Sequence, residues 1–126
     1  MALDVPAVPI ASQTLRYAKA AWDYVRDGGG PGLVPTASQQ LPARAFILGA
    51  AVEWVDPISD VGTSTMQLCL GANAIGSTFN PASDGPFLQW GADIVGLGPD
   101  TSLPICLTIT GDGYSAGSML LYVFYV

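Results

Sequence analysis

Hydrophobic and polar positions alternate with a period near two over several short stretches, and clusters of Gly, Pro, Asn and Asp separate those stretches. The clearest is TSTMQLCLG (63–71), where Met66, Leu68 and Leu70 share one face and Thr65, Gln67 and Cys69 the other, so one side should face a core. AFILGAAVEWV (45–55) is β-branched, aromatic and apolar, and DPISDVG (56–62) is expected to end it in a turn. Asn73 to Pro86 reads as loop, and Phe87 to Val95 as a weaker strand. SLPICLTIT (102–110) and SMLLYVFYV (118–126) follow, joined by GDGYSAG, whose glycines suit the positive φ values of a hairpin loop. An uncharged strand rich in Tyr, Phe and Val is a hazard at a free sheet edge, so 118–126 is expected centrally or against another chain.

The first third is patterned differently. Residues 1–13 hold Pro6 and Pro9 among apolar residues, which favours an extended arm, and Val5, Val8 and Ile10 need a surface to lie on. Thr14 to Asp27 supports two readings. Leu15, Lys19, Trp22 and Arg26 recur at helical spacing, whereas Trp22 and Tyr24 alternate with Ala21, Asp23 and Val25 as in a strand. A strand is expected, because every later element is one. GGGPG (28–32) is a loop, and the polar stretch TASQQL between Pro35 and Pro42 is expected to stay irregular. Five or six closely spaced strands without a convincing helix predict an all-β fold, a jelly roll or β-sandwich over 14–126, with the arm 1–13 outside it.

Composition adds a requirement for partners. Half of the 126 residues are hydrophobic, 11% are charged and the mean hydropathy is +0.42. A domain of this size hides only about two-thirds of its unfolded surface, so surplus apolar residues point to subunit contacts or a membrane. The apolar runs 45–52 and 119–126 have strand length, well short of the ~20 residues of a membrane-spanning helix, so no membrane partner is expected. Met1 to Pro9 has an early Asp4, two prolines and no positive start, unlike a secretory signal, so the chain is expected to be made and kept in a cytoplasm. Cys69 and Cys106 are too few for a disulfide framework and are expected as buried thiols.

Charge is segregated along the chain. Arg16, Lys19, Arg26 and Arg44 all precede Ala45, against three acids there, whereas the rest has seven acids and no Lys or Arg. An acidic body of this kind repels phosphate backbones, so no nucleic acid is expected as a partner. It can attract the basic part of a neighbouring copy.

Candidate chemistry is sparse. The chain has no His, which removes the commonest general base, the usual nucleophile pairs and the usual zinc ligands. Glu53 with Asp56, or Asp60 with Asp84, could be nominated as paired carboxylates, and loops 56–60 and 111–113 as calcium loops. Most of these acids abut Gly, Pro or a turn, and D-P-I-S-D lacks the alternation of a calcium loop, so turn geometry is the expected role. Trp22, Trp54, Trp90 and Tyr114 could form a sugar-stacking platform, but they are expected in the core or between subunits. No catalytic residue, cofactor or metal is expected.

LPARAFILGAAVEWV (41–55), TMQLCLGAN (65–73) and SLPICLTITGDGYSAGSMLLYVFYV (102–126) together resemble a recurrent pattern in small tailed-bacteriophage virion proteins. The counterparts of that pattern are Leu41-Pro42, Leu68 to Gly71, Leu107 to Thr110, Ser115-Ala116-Gly117 and Tyr122 to Val126. Ala43 and Arg44 depart from it, standing where small, glycine-containing residues are usual. The resemblance covers about two-thirds of the chain and implies a compact jelly roll that forms homotrimers and serves as capsid cement or decoration protein. A head-fibre or tail attachment, or a carbohydrate-binding β-sandwich, is the alternative. Leu3, Val5, Pro6, Val8, Pro9 and Ile10 of the arm, with Arg16 and Arg44, are then the candidate contacts with the major capsid protein, another virion subunit or an adjacent copy.

Overall fold

The computed structural model describes residues 14–84, 87–90, 96–97 and 100–126, with backbone alone for 87–90 and 96–97. The expected arm, 1–13, and the end of the strand expected over 87–95 lie outside the described residues. The elements are β1 (Arg16–Asp23), a one-turn helix α1 (Tyr24–Asp27), β2 (Gly32–Leu41), β3 (Phe46–Asp60), β4 (Ser64–Leu70), β5 (Asn73–Ala74), a one-turn helix α2 (Pro81–Asp84), β6 (Phe87–Trp90), β7 (Gly96–Leu97), β8 (Leu103–Gly111) and β9 (Tyr114–Tyr125). The fold is all-β and jelly-roll-like, as the alternation predicts.

The strands follow the order β5-β4-β8-β2-β1-β9-β3-β6, with β7 also on β3, and every pairing among the described residues is antiparallel. The path bends where β1 meets β2, a junction of only two residue pairs, Ala20↔Ser38 and Ala21↔Ala37. The two halves thereby face each other across one core. Trp22, Met119, Leu121 and Val123 come from one half, and Met66, Leu68, Leu70, Ile105, Leu107 and Ile109 from the other. Each of these side chains is at most 2% exposed.

The ambiguous segment 14–27 divides in two. Ala18, Ala20 and Trp22 are buried at period two, so β1 is a strand. Asp23 then caps a single helical turn: its carboxylate accepts from the Val25 N–H at 2.9 Å, and its own N–H donates to Asp27 at 3.0 Å. Only four residues are left for the helical pattern.

Four expectations need correction. TASQQL is not irregular, because it lies within β2. There β2 leaves β8 after Pro35 and returns at Gln40 in order to reach β1. Across the gap the Thr36 hydroxyl donates to the Ile105 carbonyl at 2.6 Å, and the Ser38 hydroxyl accepts the Ile105 N–H at 2.8 Å. Polar side chains replace ladder hydrogen bonds that the backbone gives up at the bend.

The second correction is that Asp56-Pro57 does not end β3, which runs on to Asp60 through three register shifts against β9 beyond Trp54. Bulges of this kind admit a proline that cannot donate to the ladder. Gly117, at φ 119°, lies opposite: a Cβ there would come 2.6 Å from Ile58 Cγ1 and 2.8 Å from the Pro57 carbonyl oxygen. The third is that the stretch expected as loop over 73–86 carries β5, α2 and a bridge from Phe79 to Met66. The fourth is that only Asp112-Gly113 of GDGYSAG is loop, because β9 begins at Tyr114 to pair with the extension of β3 to Asp60.

β9 is central, between β1 and β3, as its lack of charge requires. The outer edge of β4 is occupied by backbone hydrogen bonds from Ile75 to Leu68 and between Phe79 and Met66. Cys69 and Cys106 are free, buried and directly opposite each other on β4 and β8.

Candidate interaction surface

Antiparallel register gathers distant parts of the chain at one end of the β1-β9-β3 layer. Tyr125 of β9 is the partner of Arg16 on one side and of Ile47 on the other, and Phe46 and Val126 exchange both backbone hydrogen bonds, at 3.0 and 3.2 Å. Arg16 and the turn bearing Arg44 therefore lie at the same end, on strands about 10 Å apart with β9 between them. Arg44 holds φ 60°, a left-handed conformation that glycine adopts without strain, so the position keeps its turn geometry without the usual residue. Its guanidinium lies 3.8 Å from Asp100, with both side chains largely in solvent, so the pair contributes little. Arg16 forms no ion pair among the described residues. Leu15 (61% exposed), Phe46 (43%), Leu48 and Val126 share this end. It is also where residues 1–13 join the domain at Thr14.

The opposite end is acidic and self-contained. Asp23, Asp27, Asp56, Asp60, Asp84 and Asp112 lie in or beside its turns, and Arg26 is bonded to Asp27 at 2.7 Å. Asp60 accepts from the Gly62 N–H (3.0 Å), the Ser64 N–H (3.1 Å) and the Asn80 amide (3.0 Å). Desolvation pushes the Asp60 carboxyl up, but these hydrogen bonds outweigh it and hold the group below the usual carboxylate range. Asn80 also accepts from the Tyr114 hydroxyl at 3.1 Å, and burial pushes the Tyr114 phenol well up. The Ser64 hydroxyl donates to the Gly113 carbonyl (3.0 Å) and accepts the Gly113 N–H (2.8 Å), and Asp56 accepts from Ser118 at 2.8 Å. Of the carboxylates nominated for calcium or paired-acid chemistry, Asp60 and Asp84 close turns, whereas Asp56 and Glu53 accept from Ser118 and Tyr122 across the β3-β9 ladder. Among the described residues no three His, Cys, Asp or Glu side chains cluster for a metal.

Between the two ends, the outer face of β1 and β9 carries an aromatic row. Tyr17 is 56% exposed and packs edge-on to Tyr122, with ring centroids 5.8 Å apart, and tilted against Phe124 at 6.2 Å. Tyr122 and Phe124 are nearly parallel, 14° apart in plane, at 6.5 Å. Lys19 Nζ lies 5.9 Å from the Tyr122 ring centroid, and the Tyr122 hydroxyl donates to Glu53 at 3.4 Å. Beside the row runs an open groove lined by Lys19, Ala20, Ala21, Ala37, Ser38 and Gln39. The platform aromatics suggested by sequence are elsewhere: Trp22 and Tyr114 are buried, Trp54 is half-buried, and the Trp90 side chain lies outside the described set. Sequence reading missed the Tyr17, Tyr122 and Phe124 row because both faces of β9 are apolar, so alternation does not reveal which one is outward. The one available signal was ring size over 119–124, with Met119, Leu121 and Val123 inward and Tyr122 and Phe124 outward, although Tyr125 beyond them packs against the core. Of the nominated contact residues, Leu3, Val5, Pro6, Val8, Pro9 and Ile10 lie outside the described residues.

Among solved structures the chain is similar to a chain of the acid-stable capsid structure of Helicobacter pylori bacteriophage KHP30, with 12% identity and a TM-score of 0.60 over 90% of this chain and 87% of that one. It is also similar to a chain of the cyanophage Pam1 capsid asymmetric unit, with 16% identity and a TM-score of 0.61 over 89% of this chain and 84% of that one. At these identities the likeness is one of fold. No protein-family model and no curated protein matches the chain.

Proposed function

We propose that the protein is a structural component of a tailed-phage virion, a cement or decoration protein that stabilises the head as a homotrimer through arm-mediated contacts, without catalysis. The observation that carries this reading is the shared fold over about nine-tenths of the chain with chains from two phage capsids. The surface agrees with such a role. One end offers unspent cations, exposed apolar side chains and the root of the arm, while Asp23, Asp27, Asp60 and Asp84 at the other end are engaged in turns. Three copies meet along the sandwich edges, and Arg16 and Arg44 turn toward the major capsid protein or another virion subunit. In a trimer three weak contacts act together, because the second and third bind at high effective concentration once the first has formed.

Antibody against this chain, applied to intact particles in the electron microscope, tests the location. Labelled heads are the expected result, and labelled tails alone would instead make it a tail or fibre attachment protein. Light scattering tests the association: a trimer is expected at micromolar concentration, and a strict monomer contradicts it.

A further inference from the structure

The aromatic row and residues 1–13 have complementary chemistry. Segment VPAVPI places Pro6 and Pro9 three residues apart. In a polyproline II conformation that spacing puts both prolines on one edge, about 9 Å apart. Segments of this kind bind to aromatic-lined surfaces, because their backbone is already extended and proline rings pack flat against aromatic faces. Tyr17, Tyr122 and Phe124 present such a surface, outward and without a cover among the described residues, with a groove running alongside. Charge agrees as well. Asp4, two residues ahead of Pro6, is the only charged side chain of 1–13, and Lys19 stands at the rim of the row, over Tyr122.

Which copy supplies the segment follows from where it is rooted. It joins the domain at Thr14, only three residues from Tyr17, and β1 runs away from that root along the sheet. For a chain to cover its own row, it would have to reverse within Ala11-Ser12-Gln13, where Ser12, a weak turn former, stands without any Gly, Pro, Asn or Asp. Continuing outward instead, Ala11 to Gln13 carry the chain about 9 Å beyond Thr14 at roughly 3.1 Å per residue, and Val5 to Ile10 extend about 19 Å further, enough to lie along a domain packed beside this end. We infer that Val5 to Ile10 of one copy lies across the Tyr17, Tyr122 and Phe124 row of a neighbouring copy, so that each arm straps one subunit to the next. The inference rests on the arm-mediated assembly proposed above and names its seat.

Photo-crosslinking in the purified full chain tests it. Val8 is replaced by benzoylphenylalanine, and normal and nitrogen-15-labelled copies are mixed before irradiation. The expected crosslinks join the Val8 position to peptides containing Tyr17 or Tyr122 to Phe124, with mixed isotopes across the link. Tyr122→Ala, and Pro6→Ala combined with Pro9→Ala, should each lower their yield several-fold with an unchanged melting temperature. Crosslinks confined to one copy, crosslinks to other peptides, or no crosslink at all would overturn the inference. Incorporation into particles is read separately, so a chain that enters heads but crosslinks elsewhere loses this seat and keeps the virion role.

Discussion

At the hairpin end of the sandwich, Asp60, Asn80, Ser64 and Tyr114 bond to one another and to the turns between them. At the arm end, Arg16 stands unpaired among the described residues, and Arg44 has one long contact beside exposed Leu15, Phe46 and Val126. Both ends are polar, yet their polar groups are used differently. Groups whose hydrogen bonds are satisfied internally stabilise the fold and have little left for a partner. Groups left in water add almost nothing to stability, so their clustering with exposed apolar surface is better explained by association.

That contrast can be broken experimentally. The largest effect is expected from the strand both ends share: deleting 121–126 removes the centre of the β1-β9-β3 layer and should abolish cooperative folding, and Leu121→Ala, fully buried, should cost about 2–5 kcal/mol in denaturant unfolding. A soluble, cooperatively melting truncation would contradict this topology. Next comes the hairpin end, where Ser64→Ala leaves the buried Gly113 N–H without its partner, although the Gly113 carbonyl keeps the Val61 N–H, and should cost about 1–3 kcal/mol.

Asp60 adds a pH signature to the same end. Its folded pKa lies below the unfolded value, so its contribution is present above the unfolded pKa, near 4, and is lost as pH falls through the folded one. Asp60→Asn should therefore lower the melting temperature at pH 7 and weaken its acid dependence below about pH 4. An unchanged acid limb would mean that the carboxylate does not hold the turn. The smallest effect on stability is expected at the arm end, where Arg16→Glu with Arg44→Glu should shift unfolding by less than about 0.5 kcal/mol while abolishing incorporation into particles. If stability fell as much as for Ser64→Ala, the proposed division between the ends would fail.

The strands over 63–71 and 102–110 were legible because one buried face writes a period of two into the sequence, and those over 45–55 and 118–126 because they are short apolar runs rich in β-branched and aromatic residues. The strand in TASQQL was hidden because Thr36 and Ser38 supply hydrogen bonds that the ladder lacks at the bend, so their polarity mimicked a loop. Asp56-Pro57 read as a stop because proline usually ends pairing, whereas three register shifts carry β3 past it. For the surface, Arg16 and Arg44 could be nominated from charge alone, but their meeting at one end depends on β9 lying between β1 and β3, which no local pattern encodes. The outward row of Tyr17, Tyr122 and Phe124 depends on the same placement.

The most direct test of the account is an incorporation assay with particles produced without this protein, to which either the full chain or a chain lacking residues 1–12 is added. The account predicts that the full chain binds heads and raises their resistance to heat, while the shortened chain folds with the same melting temperature and stays in solution. Equal binding by both chains, or binding by neither, would contradict it.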